Sequence, residues 1–323
     1  VTEQELQYTV LSGGVGGAKL VLGLRDVLAP DQLQVITNTG DDFVHLDLPI
    51  CPDLDTLMYT LAGTVNPATG WGLADETWEF MDSVRASGGP DWFQLGDKDI
   101  ATHTQRRSMQ RQGMSLSGIT AALCRNVGVA TRIWPMSDDI VKTHIETASQ
   151  RLEFQDYFVR LKATPVATGF SYVGSDTARA SPGALAALRQ EKLGAIIIAP
   201  SNPWLSIDPI LAVGDIKAAI QSSPTPVIAV SPIVGGRAIK GPTAKLMTEL
   251  GMEVSALAIA RHYQAIIDGL IIDQADADQT PAIEALGLRV GISNTVMNSL
   301  KDKQQLARFL LDFARDVKPG IAP

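Results

Sequence analysis

Apolar residues along this chain follow two rhythms. Short unbroken runs alternate with longer stretches in which apolar residues recur every three or four positions. Ile196-Ile197-Ile198 and Val227-Ile228-Ala229-Val230 are continuous, the pattern of strands covered on both faces in a parallel sheet. Residues 8–12 read as such a strand, Gly13-Gly14-Val15-Gly16-Gly17 as its turn, and 18–27 as the helix that follows. With a second strand at 34–37 the opening is a βαβ unit, which favours a parallel sheet with right-handed crossovers. Further strands are predicted at 132–134, 194–199, 226–230, 270–272 and 288–292, and 166–173 reads as an edge strand or a separate hairpin.

Residues 73–126 lack a strand pattern. Leu116, Ile119, Ala122 and Leu123 form a helical stripe there, so this stretch is predicted as a mainly helical insertion. Ser181 before Pro182 predicts a helix N-cap, 306–313 a final amphipathic helix, and 318–323 an irregular tail. No solenoid repeat, low-complexity tract or linker divides the chain. The expected fold class is α/β: one large domain over 1–323, with a Rossmann-like, mostly parallel sheet and flanking helices.

Composition narrows the function classes. With 27 basic and 35 acidic residues the formal charge is -8, which argues against broad contact with nucleic acid or an anionic membrane, though a local cationic pocket for phosphate stays open. Two cysteines supply neither a disulfide framework nor a Cys-rich zinc site. The first residues lack a basic segment leading into an apolar one, and no apolar run is long enough to span a bilayer, so a cytoplasmic protein is expected.

A glycine-rich turn between strand and helix lets backbone approach a ligand, and free helix N–H groups favour phosphate. Gly13, Gly14, Gly16 and Gly17, with Lys19 nearby, are therefore candidate substrate contacts. The dinucleotide fingerprint is not met, because Lys19 stands where its third glycine belongs. Walker A fails too, with Ala18 at its second glycine and Leu20 at its hydroxyl position.

Five aspartates fall within fifteen positions after the second strand: Asp41, Asp42, Asp47, Asp53 and Asp55. Such density suits a hard cation that bridges carboxylates to substrate phosphates. Asp42, Asp53 and Asp55 are the candidate Mg²⁺ ligands, Asp42 and Asp53 the candidate catalytic residues, and Asn38 and Asp41 candidate substrate contacts. Asp53 and Asp55 equally suit the first turn of a helix. His45 lies in this neighbourhood, whereas His103, His144 and His262 sit in no recognisable motif and build no zinc triad.

Later strands end in polar loops. Ser201, Asn202 and Ser206 follow one, Gly235, Gly236 and Lys240 another, and Asn294 and Thr295 a third. In a parallel sheet those carboxyl ends assemble a single cleft. Trp134 and Trp204, near strand ends, could flank a planar ligand; Trp78 with Met81 and Val84 fits a packing stripe, and Trp92 carries no signal.

Taken in order, Val10-Leu-Ser-Gly-Gly-Val-Gly-Gly-Ala-Lys19, Asn38-Thr-Gly-Asp-Asp42, Cys51-Pro-Asp-Leu-Asp-Thr56, Met136-Ser-Asp-Asp139, Pro200-Ser-Asn-Pro203, Ser231-Pro-Ile-Val-Gly-Gly236, Lys240-Gly-Pro-Thr243 and Ile292-Ser-Asn-Thr295 resemble the CofD/FbiA family of coenzyme F420 biosynthesis. The resemblance implies a 2-phospho-L-lactate or phosphoenolpyruvate transferase. Such an enzyme moves the phosphoryl-linked three-carbon acid from a guanosine diphosphate derivative to the deazaflavin Fo, forming F420-0 or dehydro-F420-0 and releasing GMP. It also implies Mg²⁺, small-molecule substrates and a homodimer. The competing reading is a noncatalytic nucleotide or nucleotide-sugar-binding regulator of the YvcK-related group.

Overall fold

The structure is a computed structural model, and it describes residues 6–317; the predicted tail at 318–323 lies outside them. Its centre is a seven-stranded sheet. In chain order the strands are β1 (Gln7–Ser12), β2 (Leu33–Thr37), β3 (Arg132–Pro135), β4 (Leu193–Ile198), β5 (Val227–Val230), β6 (Gly269–Asp273) and β7 (Arg289–Ser293). Across the sheet they run β3-β2-β1-β4-β5-β6-β7, and every neighbouring pair is parallel. The chain steps outward from β1 to β3, then returns to lay β4 on the other side of β1. The strand order therefore reverses between β1 and β4, the place where open α/β sheets hold ligands.

Alternate side chains feed two cores, one on each face of the sheet. Val10, Val35, Ile197 and Ile271 face helix α1 (Gly14–Val27) and the last helix, Leu300–Asp316; Leu11, Ile36, Ile198 and Leu270 face the opposite layer. Burying each such side chain contributes about 1.5–3 kcal/mol, which is why these strands carry no polar alternation. The last helix is longer than its predicted apolar stripe because Ser299 and Asp302 form a capping box that starts it earlier. Ser181 caps Pro182–Leu188 as predicted, accepting from the N–H of Ala184 at 3.3 Å.

Between β2 and β3 lie a tight hairpin, Phe43–His45 with Leu48–Ile50, and four helices: α2 (Pro52–Ala62), α3 (Glu79–Ala86), α4 (Asp97–Arg111) and α5 (Leu116–Asn126). The last three are the helices expected within 73–126. Phe43, Ile50, Met81 and Leu95 form a small core of their own there, with Trp92 and Phe93 packed against it. Trp78 does not join that packing; it is 42% exposed at the N-terminal end of α3 while Met81 alone is buried.

The strand expected at 166–173 is Ala167–Val173, an edge of a separate three-stranded antiparallel sheet with Lys142–Thr147 and Arg151–Glu153. Its partners escaped the sequence reading because Lys142–Thr147 buries only Thr143 and Ile145, too few apolar side chains for a clear signal.

Candidate active site

The glycine group does not form a free-standing turn as expected; α1 begins at Gly14, so Gly14, Gly16 and Gly17 are its first turn. Glycine is a poor helix former, so another need keeps it here: Gly14 has a φ of +64°, which other residues rarely adopt, and its neighbours are fixed by packing. A Cβ on Gly13 would stand 2.5 Å from Asp53 Oδ2 and 2.7 Å from Ser206 Cβ, and one on Gly16 would stand 2.5 Å from the carbonyl oxygen of Pro200. The loop after β4 thus lies directly on the loop after β1. Ser201 fastens the two, its Oγ accepting from the N–H of Gly13 at 3.2 Å and donating to the Gly13 carbonyl at 2.7 Å.

Two carboxylates lie beside this helix end. Asp53, in the first turn of α2, accepts from the N–H of Gly14 at 2.6 Å through Oδ1 and from Asn38 Nδ2 at 2.9 Å through Oδ2. Asn38 also donates to Asp41 Oδ1 at 3.1 Å, so one neutral amide holds both acids. Burial raises Asp53 to about 6 against the opposing bonds from Asn38 and Gly14, and burial together with the charges of Asp53 and Asp42 raises Asp41 well above the ordinary carboxylate range. Among the described residues neither acid has a cationic side chain as a hydrogen-bonded partner.

The other predicted acids behave differently. Asp55 is 5% exposed and holds Arg106, itself 3% exposed, through both carboxylate oxygens. Asp42 does not line the cavity. Its carboxyl meets the Cys51 thiol, burial raises it well above the usual range, and Oδ1 has no hydrogen-bond partner. Asp41 occupies the cavity wall where Asp42 was expected, because the Asn38 side chain bonds the N–H of Gly40 at 2.8 Å and curls the turn so that the first aspartate faces inward. Among the described residues no group of three or more His, Cys, Asp or Glu side chains is placed to hold a metal ion.

The cavity at the sheet's carboxyl edge has a volume of about 580 Å³ and mostly apolar walls. Of the predicted contacts, Gly13, Gly14, Gly16, Lys19, Asp41, Asp53, Asp55, Ser201, Asn202, Ser206, Lys240 and Thr295 line it. Gly17 packs against Ser12 and Ser201, and Asn38 is buried behind the acid pair. Gly235, Gly236 and Asn294 are not on it: the N–H of Gly235 is taken by Asp276, and Asn294 accepts from the N–H of Val296.

Lys19 Nζ donates to the Met297 carbonyl at 3.1 Å and Lys240 Nζ to the Thr69 carbonyl at 3.1 Å. Burial and then the charge of Lys240 lower the Lys19 ammonium from its ordinary value, and both lysines line the cavity. Trp134 and Trp204 do not line the cavity; Trp204 stacks on Phe170, with ring centroids 6.2 Å apart. The planar lining residues are instead Trp71, Trp92, Phe93, Phe154 and Phe158, and Tyr59, Asp99 and His103 line the same cavity. Neither spacing nor a motif marked the aromatics, Asp99 or His103; Trp71, Trp92 and Phe93 come from loops between β2 and β3, Asp99 and His103 from α4, and Phe154 and Phe158 from just before and within a short π-helical turn, Asp156–Arg160.

The family model described as 2-phospho-L-lactate transferase CofD matches residues 8–287. A phosphoenolpyruvate transferase of Kitasatospora aureofaciens is 41% identical, over 98% of this chain and 100% of that protein. One of Streptomyces coelicolor is 41% identical, over 97% of this chain and 99% of its own. Among solved structures, a UPF0052 family protein of Bacillus halodurans superposes with a TM-score of 0.61 at 15% identity, covering 94% of this chain and 98% of that one, a likeness of fold alone.

Proposed function

The chain belongs to the CofD family of 2-phospho-L-lactate transferases and is a transferase, and from its site we propose that it passes a phosphoryl-linked three-carbon acid from a guanosine diphosphate derivative to the deazaflavin Fo, with release of GMP. The enolpyruvyl donor is favoured over the lactyl one, because relatives 41% identical over nearly the whole chain are named phosphoenolpyruvate transferases. The observation that carries the reading is the Asp41 and Asp53 pair, buried without a cationic hydrogen-bond partner among the described residues and lining one cavity with two lysines.

Such a pair fits Mg²⁺, which commonly takes one or two protein carboxylates and completes its shell with water and phosphate oxygens. Asp41 and Asp53 would hold it, and when bound it supplies charge neutralisation for a diphosphate. The N-terminal turn of α1 offers N–H groups to the phosphoryl oxygens. Lys19 and Lys240 stand where they can offset the negative charge on the departing GMP. The acceptor hydroxyl oxygen forms a bond to the phosphorus that carries the acid, the phosphorus–oxygen bond to GMP breaks with its electron pair, and the hydroxyl proton passes to Asp53 or to solvent. Holding both substrates in one cavity supplies orientation, and the mostly apolar walls keep bulk water from competing as the nucleophile.

The test is purified protein with Fo and Mg²⁺, given enolpyruvyl or lactyl diphosphoguanosine in parallel, and mass detection of GMP and the F420-0 forms. Turnover with the enolpyruvyl donor that stops on adding EDTA is expected. A folded protein that turns over neither donor would overturn the reading. A homodimer and a cytoplasmic location belong to the same proposal, checked by sedimentation and by cell fractionation.

A further inference from the structure

Besides Trp92 and Phe93 the cavity is lined by an acceptor and a donor left over from a buried network. Arg106 Nη1 lies 3.0 Å from His103 Nδ1, and a guanidinium can only donate, so Nδ1 accepts and the imidazole proton sits on Nε2. His103 is 1% exposed, yet Nε2 has no hydrogen-bond partner; its nearest carboxylate oxygen, Asp99 Oδ1, is 3.4 Å away and already accepts from the Tyr59 hydroxyl at 2.6 Å. Asp99 Oδ2 carries neither of those contacts. An orphan buried donor is unfavourable, so a fold that keeps one at a cavity wall gains when a ligand satisfies it.

An N–H held only by a long 3.4 Å contact, beside a carboxylate oxygen that bears no bond, is complementary to one common group, a ring amide whose C=O adjoins its N–H. We propose that His103 and Asp99 recognise this cyclic amide edge on a planar heteroaromatic ligand, with His103 Nε2 donating to the ring carbonyl and Asp99 accepting from the ring N–H. The ring would lie along Trp92 and Phe93. Ile100, next in the chain to Asp99, packs into the same small core as those two aromatics, which places the polar pair at the foot of the wall. Tyr59 and Arg106 are positioning residues, one fixing the carboxylate and the other the tautomer.

The inference rests on the transferase reading, in which two ligands carry this edge: the pyrimidinedione ring of Fo and the guanine of the donor. Titrations that follow Fo by its own fluorescence, and GDP by calorimetry, separate them. Asp99→Asn and His103→Leu should each weaken one of the two ligands by about tenfold and leave the other within twofold, consistent with one hydrogen bond lost. His103→Gln, which restores a donor, should recover most of the loss.

Methylating the ring nitrogen of whichever ligand is affected should weaken binding to the unaltered protein equally, a readout that needs no variant to fold. Undiminished affinity for both methylated ligands, or equal losses for Fo and GDP in Asp99→Asn, would overturn the assignment. If the unaltered protein binds GDP but not Fo, the transferase reading fails while a guanine-specific loss in Asp99→Asn still supports the pair; if it binds neither, both fall.

Discussion

Arg106→Met isolates the buried charge pair beneath the site. Arg106 and Asp55 are 3% and 5% exposed, and the guanidinium also donates to the Pro49 carbonyl at 3.2 Å. Met keeps most of the volume and removes the charge, which leaves the Asp55 carboxylate buried and unpaired. Breaking a buried pair in this way costs about 3–5 kcal/mol. At about 2.1 cal/mol/K per residue, 323 residues give an unfolding entropy of about 0.7 kcal/mol/K, so the melting temperature should fall by about 4–7 °C. Urea titration at fixed m-value measures the same loss without the temperature conversion. The double variant Asp55→Leu with Arg106→Met removes both charges and should regain at least half of it, the remainder being the bonds to Pro49 and His103. A single variant that loses under 1 kcal/mol, or a double variant no more stable than the single, would refute the idea that the uncompensated carboxylate dominates.

Asp53→Asn should lower turnover about a hundredfold, in line with the loss of one well-placed electrostatic group, while Asp42→Asn, whose carboxyl lies off the cavity, should stay within a few-fold of the unaltered enzyme; initial rates at saturating Mg²⁺ compare them. Gly13→Ala places a methyl 2.5 Å from Asp53 Oδ2, so about 1–3 kcal/mol of stability should be lost together with turnover, read by urea titration and the same assay. Ser299→Ala removes the capping box of the last helix and should cost about 1 kcal/mol with turnover within a few-fold, since that residue does not line the cavity.

The parallel sheet was legible because buried strands announce themselves as unbroken apolar runs, and Ile196, Ile197 and Ile198 are buried completely. The phosphate end of the site was partly legible: glycines at Gly13 and Gly16 directly after a buried strand mark a place where backbone can approach a ligand, whereas Asp53 suited a helix's first turn equally well. Choosing among neighbouring acids was beyond the sequence, since Asp41 and Asp42 are adjacent and only the Asn38 turn decides which one faces the cavity. The aromatic wall and the His103 pair were invisible for a different reason. The aromatics come from segments far apart in the chain, and the polar pair is set by side-chain bonds between α2 and α4: Tyr59 and Asp99 are forty positions apart before the hydroxyl meets the carboxylate.

Placing β4 between β1 and β5 has a consequence for biosynthesis. β1 ends at Ser12 and its second neighbour begins at Leu193, so 181 residues emerge from the ribosome before one side of β1 can be covered. At roughly 5–20 residues per second that is about 9–36 seconds, during which β1, β2 and β3 can associate but present an open apolar strand edge to other nascent chains. Only when Leu193–Ile198 arrives does the edge close, and Ser201, following at once, brings the phosphate turn into place. Aggregation of this protein should therefore be decided during translation, and slowing the ribosome between those two strands should lower its soluble yield.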